Sequence, residues 1–137
     1  MANYSGSCLC GEIKYEINGE PVRAANCHCD DCRKATGASY STNFFFNEDD
    51  IVVTQGTPKE FAHSSDKGNT MTKQFCGNCG SQLFGLGSGS PGIKHVKVGT
   101  LDDVGNMRPA INVFAGRKMP FTFLDPDTEQ YETMRPQ

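Results

Sequence analysis

Seven cysteines fall in three tight groups, Cys8-Leu9-Cys10, Cys27-His28-Cys29-Asp30-Asp31-Cys32 and Cys76-Gly77-Asn78-Cys79. Thiols two or three residues apart chelate metal ions, and an odd count with no secretory leader argues against a disulfide framework. A metal-stapled fold is the expectation. The 137 residues suit one hydrophobic core, and no linker, low-complexity run or repeat interrupts them, so a single domain over residues 1–137 is expected.

Helical periodicity is nearly absent. Short β-rich runs recur between Gly, Pro, Asn and Asp: Glu12 to Ile17, Ser39 to Phe46, Ile51 to Thr54, Met71 to Phe75, Gln82 to Leu86, Lys94 to Val98 and Ala110 to Phe114. One short helix is predicted around Asp30 to Thr36, entered at Asp30 or Asp31 and stopped by Gly37. The fold class is therefore all-β, built of short antiparallel strands. The run Gly85 to Gly92 reads as a mobile loop.

Thirteen basic against sixteen acidic residues give a net charge of −3, without the basic face of a nucleic-acid binder. No stretch reaches the roughly 20 apolar residues of a membrane span, and neither end carries a signal or lipidation motif. A cytoplasmic protein with no nucleic-acid or membrane partner is expected.

Phe75-Cys76-Gly77-Asn78-Cys79-Gly80 has the form of a zinc knuckle, whose small residues let backbone amides approach the sulfurs. A knuckle supplies two ligands and structural zinc takes four. The other pair comes from Cys8 and Cys10, or from two of Cys27, Cys29 and Cys32. The first partition keeps each local chelate whole and is preferred. It leaves Cys27, Cys29 and Cys32 as a tripod with an open fourth position, the layout of a catalytic zinc site. His28, His63, His95 or a carboxylate would close that tripod into a second structural site. His28, however, alternates with its neighbours in extended backbone and points away from them.

Zinc with three thiolates carries a formal charge of −1, which makes it a weak Lewis acid towards a carbonyl. It can still take a thiol as fourth ligand and hold it as thiolate at neutral pH. Chemistry on the sulfur of a small thiol suits such a site best. Arg33 and Lys34 are the nearest cations in sequence, and Asp30 and Asp31 are helix caps or proton carriers. Tyr40, Asp31 and His28 are candidate general acids.

At these residues the chain resembles the glutathione-dependent formaldehyde-activating enzyme family, which includes centromere protein V-like proteins. The resemblance runs from Gly6-Ser7-Cys8-Leu9-Cys10-Gly11 to about Phe121. It is most specific in Cys27-His28-Cys29-Asp30-Asp31-Cys32-Arg33-Lys34-Ala35-Thr36-Gly37-Ala38 and Lys73-Gln74-Phe75-Cys76-Gly77-Asn78-Cys79-Gly80-Ser81, with a softer signature at Gly99-Thr100-Leu101-Asp102-Asp103. It implies a twisted all-β zinc fold similar to that of Mss4 and of methionine-R-sulfoxide reductase. It further implies a structural zinc on Cys8, Cys10, Cys76 and Cys79 and an active-site zinc on Cys27, Cys29 and Cys32. The reaction implied is a carbon–sulfur lyase activity, in reverse the joining of glutathione to formaldehyde as S-hydroxymethylglutathione.

Relatives often carry Pro-Trp after the last strand, whereas this chain has Met119-Pro120-Phe121 and no tryptophan. Glutathione's carboxylates need cationic partners, for which Arg23, Arg33, Lys34, Arg108 and Arg117 are the candidates. The alternative function is a non-catalytic, zinc-stabilised binding or scaffold module. Sulfoxide reduction is disfavoured, because placing all seven cysteines on metals leaves no free nucleophile.

Overall fold

The computed structural model describes residues 2–134. The strands are β1 (Tyr4–Ser7), β2 (Lys14–Ile17), β3 (Arg23–Cys27), β4 (Ser41–Asn47), β5 (Ile51–Gln55), β6 (Lys59–Ser64), β7 (Thr70–Phe75), β8 (Gln82–Gly87), β9 (Ile93–Lys97), β10 (Ile111–Val113) and β11 (Glu129–Gln130). The α-helix, α1, spans Asp30–Thr36. The fold is all-β, with strands β1-β2-β5 in a small sheet and β11-β10-β3-β4-β9-β8-β7-β6 in a large one.

Alternation dictates how the two sheets meet. Tyr15 and Ile17 on β2, with Ile13 just before it, project to one side and are almost fully buried. They pack against Phe44, Phe46, Phe84 and Val96 from the large sheet in the main core, and Tyr15 meets Phe84 edge-on at 4.9 Å. Each such side chain contributes about 1.5–3 kcal/mol by leaving water. The small sheet thus covers one face of the large sheet.

Register defines the opposite face. Arg23 pairs with Phe45, Phe45 with His95, His95 with Gly85, Gly85 with Lys73, and Lys73 with Phe61. Directly paired residues share a face, so these six form one row across the large sheet. Two residues along, Ala25, Asn43 and Lys97 form the next row, and Cys27 and Ser41 begin a third.

The large sheet is strongly curled. Laid flat, β6 would stand five strand spacings, about 24 Å, from β3. Yet His63 on β6 lies with its Nδ1 3.9 Å from Asp31 Oδ2, in the helix that directly follows β3. The second face is therefore the inside of a trough, with α1 at its lip.

Three features depart from the sequence reading. β10 runs parallel to both β3 and β11, because long connections rather than hairpins deliver these strands. Strands β1, β3 and β6 carry no clear alternation: Gly6 and two alanines interrupt the first two, and β6 is exposed on most of its length. The run starting at Gly85 is not all loop. Gly85 to Gly87 complete β8, because the His95 ring occupies the space a side chain at Gly85 would need, and the turn is confined to residues 88–92.

Candidate metal centres

The structure brings all seven cysteines into two groups. The sulfurs of Cys8, Cys10, Cys76 and Cys79 lie within 4.8 Å of one another, as do those of Cys27, Cys29 and Cys32. This is the preferred of the two partitions.

The four-sulfur group joins the sheets. Cys8 and Cys10 sit in the turn between β1 and β2, closed by Gly11 N–H donating to Cys8 C=O at 3.2 Å. Cys76 and Cys79 sit in the turn between β7 and β8, closed by Gly80 N–H donating to Cys76 C=O at 2.8 Å. Gly80 has φ +79°, a left-handed value that glycine adopts without penalty. Ile13 N–H donates to Cys8 Sγ at 3.3 Å and Cys79 N–H to Cys76 Sγ at 3.5 Å, the amide–thiolate pattern of a knuckle. Leu9 N–H donates to Ser81 Oγ at 3.0 Å and stitches the two turns together. The Ser81 hydroxyl and amide, with a backbone hydrogen bond from Cys10, hold the Cys79 thiol down to about 5.

The three-sulfur group straddles the end of β3 and the start of α1. Cys29 is the N-cap, its sulfur accepting from Cys32 N–H at 3.3 Å. Asp30 and Asp31 are therefore first-turn residues rather than the cap. Gly37 terminates the helix at φ 72° and donates to Arg33 C=O at 2.9 Å. Cys27 and Cys29 sulfurs are 3.4 Å apart. Hydrogen bonds from Cys27 and Cys32 push the Cys29 thiol well down, while Cys29, Cys32 and burial push Cys27 well up. Mutual repulsion and hydrogen bonding among three facing sulfurs impose that split.

Both groups could hold a metal ion, and the spacing in the four-sulfur group fits zinc. Sulfurs each about 2.3 Å from one tetrahedral ion stand about 3.8 Å apart. Here Cys8 and Cys10 are separated by 3.6 Å and Cys10 and Cys76 by 3.8 Å. Among the described residues no His, Asp or Glu joins the three-sulfur group. His28 is 1% exposed and turned away from the sulfurs, with Nε2 3.0 Å from Asn112 Oδ1. His95 is buried inside the trough and His63 faces Asp31.

Of the candidate cations, Arg33 and Arg117 both engage Asp30, at 3.1 and 2.6 Å. Arg108 donates to the carbonyls of Gly105 and Met107. Arg23 lies in the trough, its guanidinium 4.3 Å from the Phe45 ring centre. Sequence reasoning missed Lys97. It is 6% exposed and donates from Nζ to Ser41 Oγ at 2.9 Å and Asn43 Oδ1 at 3.1 Å, one row from Cys27. Only the strand pairing reveals it, since it lies 65 residues beyond Cys32 in the chain. Phe114, in a left-handed conformation (φ 55°), and Tyr131 pack on the cluster of Ala25, Cys27, Ile111 and Val113, against which Cys29 and Cys32 also lie.

Among the described residues no helix is long and apolar enough to cross a membrane. Among curated proteins none matches the chain. A crystal structure of a Rhodobacter sphaeroides protein shares the fold, with a TM-score of 0.58 at 24% identity over 74% of this chain and 91% of that one. The family model of the glutathione-dependent formaldehyde-activating enzyme matches residues 3–117, a span holding both sulfur groups, and the chain belongs to that family.

Proposed function

We propose that the protein is a zinc-dependent carbon–sulfur lyase acting on adducts of a small thiol, with glutathione and formaldehyde as the pair its family suggests. The carrying observation is the asymmetry of the two centres: four sulfurs in one, three in the other with no further described ligand. In this reading Cys8, Cys10, Cys76 and Cys79 hold a structural zinc, and Cys27, Cys29 and Cys32 hold a catalytic one. When bound there, zinc supplies a cationic centre that keeps the substrate sulfur ionised at neutral pH.

The chain's own residues orient and neutralise. The Cys29 cap and the Cys32 amide fix the tripod on a helix terminus; burial pushes the pKa of the neighbouring Lys97 down, and the sulfurs of Cys32, Cys27 and Cys29 oppose that shift. In the synthetic direction the substrate thiol loses its proton and its sulfur attacks the aldehyde carbon. The carbonyl π bond breaks, and the oxygen takes up a proton to become the hydroxyl. His28 is withdrawn from that protonation by burial and by Asn112. Tyr40, at the surface and 4.8 Å from the His28 ring, and Asp31, half-exposed beside His63, remain as donors.

The test compares Cys29→Ser with Cys76→Ser. Loss of glutathione binding with a retained fold in the first, and loss of fold in the second, is the expected result. Structural zinc contributes about 10–16 kcal/mol of apparent binding free energy in small modules. Native mass spectrometry should find two zincs, one perturbed by millimolar glutathione. Two zincs indifferent to every small thiol would favour a scaffold and overturn the proposal.

A further inference from the structure

Lys97 brings a primary amine to the three-sulfur centre through a short chain of contacts. Ser41 pairs directly with Cys27 across β3 and β4, so their side chains share a face and stand about 5 Å apart. Lys97 Nζ reaches into that pair, 2.9 Å from Ser41 Oγ and 3.1 Å from Asn43 Oδ1. Lys97, Ser41 and Asn43 are all buried.

The count of hydrogens at Nζ is the telling feature. The Ser41 hydroxyl donates its one hydrogen to Asn43 Oδ1 at 2.6 Å, so both contacts to Lys97 are donated by Nζ. A neutral amine has two hydrogens and one lone pair. The two acceptors engage both hydrogens and leave the lone pair free. An ammonium has a third hydrogen, for which the described residues offer no acceptor, and none of their carboxylates pairs with Lys97. Burial, aided by the charge of Lys73, pushes the Lys97 pKa down, and the sulfurs of Cys32, Cys27 and Cys29 oppose that shift without reversing it. His95, on the same face of β9, is also held towards its neutral form by burial. A desolvated lysine with a free lone pair is a nucleophile suited to carbonyl carbon.

We infer that Lys97 is a covalent capture site for small aldehydes, which it holds as a carbinolamine and then an iminium beside the tripod. The inference rests on the reading of the tripod as a place where thiol and aldehyde meet, and it assigns the aldehyde a residue of its own. The Nζ lone pair attacks the carbonyl carbon and the π pair moves to oxygen. A proton passes from nitrogen to that oxygen, which gives the carbinolamine. Protonation of the hydroxyl lets it leave as water while the nitrogen lone pair closes the C=N bond of the iminium. Addition of water reverses both steps and frees the aldehyde beside the sulfurs, where the substrate thiolate attacks it.

Reductive trapping reads this site without any measure of turnover. The zinc-loaded protein is treated at neutral pH with one equivalent of isotope-labelled formaldehyde and cyanoborohydride, whose hydride adds to the iminium carbon and leaves N-methyl-lysine. Peptide mass spectrometry should find at least tenfold more label on Lys97 than on the exposed Lys14, Lys34 or Lys67. Label on those three with Lys97 unmodified, or labelled no more than they are, would overturn the site. Asn43→Asp sets a carboxylate against Nζ and holds it as ammonium, so label at Lys97 should fall at least tenfold with circular dichroism and zinc content unchanged. Full labelling in that variant would also count against the capture. The wild-type distribution of label decides the matter even if the variant misfolds. Zinc perturbed by glutathione with Lys97 unlabelled would sink the capture site and leave thiol ligation standing. Strong label at Lys97 with zinc indifferent to glutathione would preserve the capture site and sink the ligation.

Discussion

His95 and His28 show how two histidines equally isolated in sequence acquire different physics. Burial, with Lys97, Lys73 and Arg23 facing it, holds His95 well below its ordinary value, so it is neutral in the folded protein at pH 7. Below pH about 6.5 the unfolded chain binds a proton that the folded one refuses, and stability falls by up to about 1.4 kcal/mol per pH unit. Denaturant titrations from pH 7.5 to 5 should show a shallower decline in His95→Gln than in the wild type; identical slopes would mean His95 is protonated in place. His28 is tethered through Asn112, which also accepts from Asn26 Nδ2 and donates to Thr128 Oγ1 at 2.7 Å. Asn112→Ala should cost about 1–3 kcal/mol by stranding those partners. It should also weaken zinc at the neighbouring tripod about 10- to 100-fold in a chelator competition. The sequence spacing was enough to turn His28 away from its flanking cysteines. The network that receives it involves residues 84 and 100 positions away, which no local pattern encodes.

Elements with local signals were legible and those with distant ones were not. α1 begins at Asp30 and ends at Thr36 because its stop lies within it: Gly37 alone adopts the left-handed turn the C-terminus needs. Gly37→Ala should therefore cost about 1 kcal/mol, visible as a lower thermal midpoint, with the sulfur geometry and metal content unaffected. A midpoint unchanged within error would mean the cap is dispensable. Strands β2, β4 and β7 announce themselves by alternation or aromatic content. Strand β3 reads as an unremarkable Arg-Ala-Ala-Asn-Cys, yet it carries Cys27 and Arg23 and anchors β10 in parallel. Its status depends on neighbours that supply the hydrogen bonds, and propensity is silent about those. Lys97 is invisible beside the tripod for the same reason: a lysine in a strand reads as solvent-facing until a curled sheet closes over it.

For the molecule as a whole, the four-sulfur centre is the fastening between the two sheets, since Cys8 and Cys10 adjoin the small sheet and Cys76 and Cys79 the large one. Cys8→Ser and Cys76→Ser should therefore be strongly non-additive, because either substitution empties the same centre. Circular dichroism and protease sensitivity of the two single variants and the double variant should show the same loss of fold within experimental error. Additive losses would show that each turn stabilises its sheet on its own.

The two centres also differ in how far apart in the chain their sulfurs lie. Cys27, Cys29 and Cys32 emerge together from a ribosome, whereas Cys10 must wait for Cys76, 66 residues later. Closing the longer loop costs about 2 kcal/mol more in chain entropy than closing a loop of five residues. During synthesis the tripod is thus the first competent chelator, with Cys8 and Cys10 the nearest spare thiols to complete it wrongly. A metal ion caught by those early sulfurs would have to be surrendered once the knuckle appears.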